Sequence, residues 1–180
     1  MSVKIHRAKG APGLTLVELI LATAILGVAL LAIASMFPTG LQALIGGGYE
    51  TQATALARGM LDALRSEPFS RLADAAPSGY NGFSTASLSP TCPVTPPASP
   101  DADFVKKNWT CEVRGPGTAG NRGLPGGVGQ ISVACLDGSL NAAACNTTDL
   151  RRISVTVTWQ LPRGQGTRSI TLVTYAARQD

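Results

Sequence analysis

The stretch from Leu19 to Tyr49 constrains this chain most: 31 consecutive residues carry no charged side chain. A bilayer core requires about 20 apolar residues in a helix, and Leu19–Phe37 meets that length. The stretch is apolar on every side, whereas a helix lying on a soluble core keeps a polar face. The expectation is a membrane-spanning helix. Lys4, Arg7 and Lys9 precede it with no acid among them, so the N-terminus should stay in the cytoplasm and the rest should cross. Only 14% of the residues are charged, against about 25% in soluble domains. The net charge of +4 is concentrated in the same basic run: beyond residue 13, twelve bases face eleven acids.

Glu18 separates two readings of this export segment. In a secretory signal, the apolar run would be discarded after the Ala32-Ile33-Ala34 sequence. In the alternative, cleavage falls after Gly13 and the apolar helix is kept. A carboxylate in an apolar helix costs roughly 2.5–3.5 kcal/mol at the membrane centre, and a disposable segment gains nothing from it. A retained helix can use it. With Leu14 as the new N-terminus, its ammonium stands four residues before Glu18, near the positive end of the helix dipole. The amine of a neighbouring chain would serve equally, and the pair would then set the axial register between subunits.

The segment GLTLVELILATAIL resembles the cleavage and methylation motif of type IV prepilins and type II secretion pseudopilins. Gly13 matches the residue before the cut, Leu14 the first mature residue, Thr15 the second and Glu18 the acidic fifth. Leu14 departs from the commoner Phe. Ser35 stands where many major pilins have Pro, and Pro38 follows three residues on. The stretch Ala53–Arg65 is similar to the pattern that follows the membrane helix in PilV-type minor pilins and GspI-type pseudopilins. The resemblance implies a leader peptide (1–13), a transmembrane and assembly helix (14–45) and a periplasmic domain (49–180). It also implies an α+β, pilin-like fold, with a long N-terminal helix packed on a small antiparallel sheet. The implied function is that of a structural minor pilin, with a minor pseudopilin of a type II secretion system as the alternative. Implied partners are a prepilin peptidase/N-methyltransferase, other pilin subunits and the inner membrane, with fibre or pseudopilus as the destination.

Beyond the apolar run, Gly46-Gly47-Gly48 costs about 3 kcal/mol of helix propensity relative to alanine, so a break is expected there. Ala53, Leu56, Ala57, Met60, Leu61 and Leu64 then form the apolar face of an amphipathic helix that Pro68 ends. Residues 75–103, rich in proline, read as a surface connection, and residues 115–129, with seven glycines, as a mobile loop. Alternation predicts strands over Lys107–Arg114, Gln130–Leu136 and Arg152–Leu161, with a hairpin partner after PRGQGT.

Cys92, Cys111, Cys135 and Cys145 form no C-x-x-C pair, which argues against a zinc ribbon. In an exported chain they read as disulfides. The pairing Cys92–Cys111 and Cys135–Cys145 is favoured because each closes a short, turn-rich loop. A single histidine, His6, rules out a triad or a multi-histidine metal site, so no catalytic residue, metal or cofactor is expected. Arg114, Arg122, Arg151, Arg152, Arg163 and Arg168 are scattered in sequence. A nucleic-acid partner, which needs converging cations, is not expected.

Overall fold

The computed structural model describes residues 15–76, 78–89, 92, 101–115, 123–164 and 166–178. The chain is α+β and divides into two compact units, Met1–Ile45 and Gly46–Asp180. Helix α1 covers Leu16–Arg65. The expected break at the three glycines does not occur: α1 includes Gly46, Gly47 and Gly48, and Pro38 as well. Apart from the adjoining residues and the helix's own backbone, no atom lies within 4 Å of a Cβ built on any of the three glycines, so packing among the described residues does not require them. Helix formation is cooperative, and adding a poor residue to a formed helix costs less than nucleating a new one.

In the second unit, α2 (Phe69–Ala73) and α3 (Ala102–Arg114) precede three strands, β1 (Val128–Leu136), β2 (Leu150–Gln160) and β3 (Thr167–Ala177). The strands form an antiparallel meander in the order β1-β2-β3. Ile131 lies opposite Val155, and Val155 opposite Leu172. Alternation therefore directs Ile153, Val155, Val157 and Trp159 to one face, where all four are buried. The amphipathic face of α1 covers them. Ala53, Ala57 and Leu64 are fully buried, and Met60 and Leu61 nearly so, in one core with Ile131 and Val133. Burying a side chain such as Leu64 contributes about 1.5–3 kcal/mol.

Lys107–Arg114 is helix, not strand. Trp109 and Val113 are four residues apart, a spacing that fits both periods. The end signals decide for helix. The Asp101 side chain accepts from the Phe104 N–H at 2.7 Å, and Gly115 closes the other end at a φ of 75°. Val105, Trp109 and Val113 then stack on one face, and Trp109 Nε1 donates to the Leu56 carbonyl at 3.1 Å.

Two segments expected to lie at the surface contribute to the core. Tyr80 and Thr85 are fully buried and Phe83 nearly so. Their segment bonds to β1: the Gly82 N–H donates to the Ile131 carbonyl, and the Ile131 N–H to the Phe83 carbonyl. Within the glycine-rich stretch Leu124 is buried. Gly129 meets the Trp109 ring so closely that a Cβ there would overlap it. Glycine at 129 serves close packing, not mobility.

Candidate functional site

Gly13 and Leu14, the expected processing residues, lie outside the described residues. The site begins at Thr15, whose Oγ1 accepts from the Glu18 N–H at 3.3 Å, while the Leu19 N–H donates to the Thr15 carbonyl. Thr15 thus caps α1, satisfying one of the N–H groups that a helix start leaves unpaired. Glu18 lies in the first turn, where a negative charge is favoured by the helix dipole. It is exposed and has no ion-pair partner among the described residues.

From Leu16 to Ile45 the large apolar side chains of α1 are exposed, from 47% at Ile45 to 74% at Leu16. This stretch is long and apolar enough to cross a membrane. Two of its hydroxyls are satisfied internally. Thr23 Oγ1 donates to the Leu19 and Ile20 carbonyls and Ser35 Oγ to the Ala32 carbonyl at 2.7 Å. Among the described side chains a lipid environment would therefore meet few unpaired polar groups beyond the Glu18 carboxylate. The arrangement leaves one charged group near the start of an otherwise apolar cylinder.

Two disulfides brace the second unit. Cys92 is joined to Cys111 of α3, with Cα atoms 5.3 Å apart, and Cys135 of β1 to Cys145, 5.0 Å apart. Among the described residues no group of three His, Cys, Asp or Glu side chains could hold a metal.

The arginines do not converge. Arg151 is buried, its guanidinium 3.9 Å from the Phe69 ring centre, and burial lowers its pKa before the neighbouring Arg178 lowers it further. Arg114 donates to the Thr85 and Leu88 carbonyls. Arg152 and Arg168 are exposed at opposite ends of the β2–β3 hairpin. Arg122 lies outside the described residues, as does the Arg163 side chain.

A buried polar cluster escaped the sequence reading. Lys106 of α3 is 2% exposed, lies 5.6 Å from the Tyr80 ring centre and 5.8 Å from that of Phe83, and donates to the Gly79 carbonyl at 3.3 Å. Burial lowers its pKa, against the pull of Asp103, Asp101 and Glu67. The Tyr80 hydroxyl donates to Glu67 Oε1 at 2.7 Å; burial and then this bond raise its pKa. Lysines are rarely buried, and only the helical register of α3 shows that this one points inward.

No family model, curated protein or solved structure matches the chain.

Proposed function

We propose that this chain is a prepilin-like structural subunit. In this reading it is held in the inner membrane by the amino-terminal half of α1, with its second unit in the periplasm. It is a substrate of a prepilin peptidase/N-methyltransferase, not an enzyme. The observation that carries the reading is the division of α1: an exposed apolar stretch with Glu18 as its single charge, followed by a face buried on the chain's own sheet. The large apolar side chains of the first part are exposed, and in this reading they are left for a membrane and then for neighbouring helices. A fibre packs such helices side by side, and an acid near the helix start can pair with a neighbour's amine. The carboxylate is then costly in lipid and favourable in the fibre, which drives transfer from one to the other.

Within this class the reading favoured is a minor pilin of a type IV pilus, acting in assembly priming or at the tip. The two disulfides favour it, because they stiffen an exported domain exposed on a fibre. A minor pseudopilin of a type II secretion system is the second reading; the same helix would serve there. Other pilin-like subunits are the proposed partners. Nucleic acid has no part in the proposal, since Arg151 points into the core and Arg152 and Arg168 stand apart.

Glu18→Val tests the reading. Membrane insertion should be unchanged or better, because the substitution removes a charge costing roughly 2.5–3.5 kcal/mol. The amount in sheared fibres should fall at least about tenfold, the equivalent of roughly 1.4 kcal/mol. Normal incorporation of the variant would overturn the assigned role of Glu18.

A further inference from the structure

The connection from β1 to β2 holds one residue that neither burial nor backbone preference explains. Leu140 has a φ of 64° and is the one described residue other than glycine with a positive φ. That region suits glycine, and a bulky side chain is strained there. Leu140 is also 60% exposed, so little burial offsets the strain. The turn around it holds it in place. Asp137 Oδ1 accepts from the Ser139 and Asn141 N–H groups, both at 2.9 Å. The Leu140 N–H donates to the Asp137 carbonyl, and the Asp137 N–H to the Asn141 carbonyl. The Ala143 N–H donates to the Cys135 carbonyl, and the disulfide between Cys135 and Cys145 closes the base of the turn.

Elsewhere in the same unit a cavity of about 370 Å³ opens among Ala76, Phe83, Ser87, Leu88, Asp103 and Lys106. Ala76, Phe83 and Leu88 supply apolar walls. The two charged residues are engaged within the chain, Asp103 by Lys107 at 2.6 Å and Lys106 by the Gly79 carbonyl at 3.3 Å. The volume exceeds the roughly 150 Å³ that holds a benzene-sized group, so a leucine side chain fits. Leu140 does not line this cavity in its own chain. Ser84 bridges Gln130, and the Gly129 N–H donates to Thr85 Oγ1. Residues 85–88 therefore lead towards the start of β1, whereas the turn that holds Leu140 follows its end.

We infer that Leu140 is an anchor for a second copy of this chain and seats in that copy's cavity beside α3. From Gly138 to Thr148 the turn carries no charged side chain, so it enters apolar walls without burying a charge. Ser139 and Asn141 flank the leucine with uncharged polar groups, the arrangement found around a buried anchor. A turn already fixed in its bound shape loses little freedom on docking. A bilayer gains nothing from that fixed shape, and one leucine is too little to hold a domain in lipid. Anchor and cavity are different surfaces, so the contact is head-to-tail and can pass from copy to copy. Both lie in the second unit, so the inference does not rest on the prepilin reading.

One anchored turn buries less than a standard interface, so a covalent trap reads the contact best. The test is photocrosslinking of the full-length chain in detergent micelles, with benzoylphenylalanine in place of Leu140 and equal parts of isotopically light and heavy chains. Crosslinked peptides should join residue 140 of one chain to residues 82–88 or 102–106 of the other. Ser87→Trp, a change at an exposed position on the cavity, should lower the yield by about tenfold or more, the affinity that burying one leucine supplies. Leu140→Gly, without the photoprobe, should leave the urea midpoint of the second unit unchanged or higher, because glycine relieves the strained φ. Crosslinks to another part of the second copy, or an unchanged yield with Ser87→Trp, would overturn the cavity as the docking site. Crosslinks only within one chain or only to detergent would overturn the second copy as partner. A lower midpoint for Leu140→Gly would show that the leucine serves the fold and would overturn its role as an anchor. None of these outcomes bears on cleavage at Gly13, so failure here is distinguishable from failure of the prepilin reading.

Discussion

The two halves of α1 share a backbone conformation and differ in everything their side chains meet. Before Gly46 the residues are apolar on all sides and exposed; after it, Ala53, Ala57, Met60, Leu61 and Leu64 are buried on one side while Glu50, Arg58, Asp62 and Arg65 stay outside. The second half is explained by the chain's own sheet. The large apolar side chains of the first are exposed among the described residues, and helix propensity alone does not account for its composition. The difference teaches that a period of 3.6 marks the half that packs on the chain's own sheet, and uniform apolarity the half whose side chains are exposed.

The sharpest way to break this comparison is to truncate one buried and one exposed leucine. Leu64→Ala should destabilise the second unit by about 2–5 kcal/mol, the range for a fully buried leucine. Leu26→Ala should leave that unit's unfolding midpoint unchanged. Urea titrations followed by Trp109 and Trp159 fluorescence would show both, and an equal loss from Leu26→Ala would mean that the first half of α1 is packed on the domain.

Replacing Cys135 and Cys145 together by Ser should cost about 2–3 kcal/mol, because the bond closes a short loop. The loss should appear in the urea midpoint of the second unit and not in membrane insertion. An unchanged midpoint would show that the pairing of β1 with β2 already fixes this turn.

The smallest expected effect is on alkaline stability. Burial and the bond to Glu67 hold the Tyr80 proton in the folded state above the ordinary tyrosine pKa. The unfolded chain loses that proton near pH 10, so the stabilisation is intact below about pH 10 and declines above it. Lys106 acts in the opposite sense. Its folded pKa is lowered by burial, so its contribution grows as pH rises towards about 10.5. Tyr80→Phe should therefore flatten the alkaline loss and leave the Lys106 rise. Urea midpoints at pH 9 and 11 would decide; the same slope in both proteins would contradict the assignment.

The sequence is most legible where one period stands alone. The alternation of Ile153, Val155, Val157 and Trp159 admits only a half-buried strand, and Ala53 to Leu64 only an amphipathic helix. It is least legible where periods coincide. Trp109 and Val113 fit strand and helix alike, and the Asp101 cap that settles the matter lies next to a proline-rich stretch. Tyr80, Phe83 and Thr85 have no period, since they reach the core through tertiary bonds to β1. Arg151 and Lys106 are polar residues at inward positions of regular elements, visible once the register is trusted over residue type. At the candidate site, Glu18 stands out in sequence because a charge in an apolar run is conspicuous, while the Thr15 cap depends on where the helix starts. The chain through Gly46–Gly48 is helical against local propensity, a consequence of cooperativity that no single residue reports.

The central claim is that the exposed half of α1 is retained and enters the fibre, and the mass of the mature N-terminus tests it most directly. Intact-mass and N-terminal peptide spectrometry of protein from membranes and sheared fibres should find a chain that begins at Leu14 and carries one methyl group on its amine. A mature chain beginning at Ser35, or one still carrying residues 1–13 in the fibre fraction, would contradict the account.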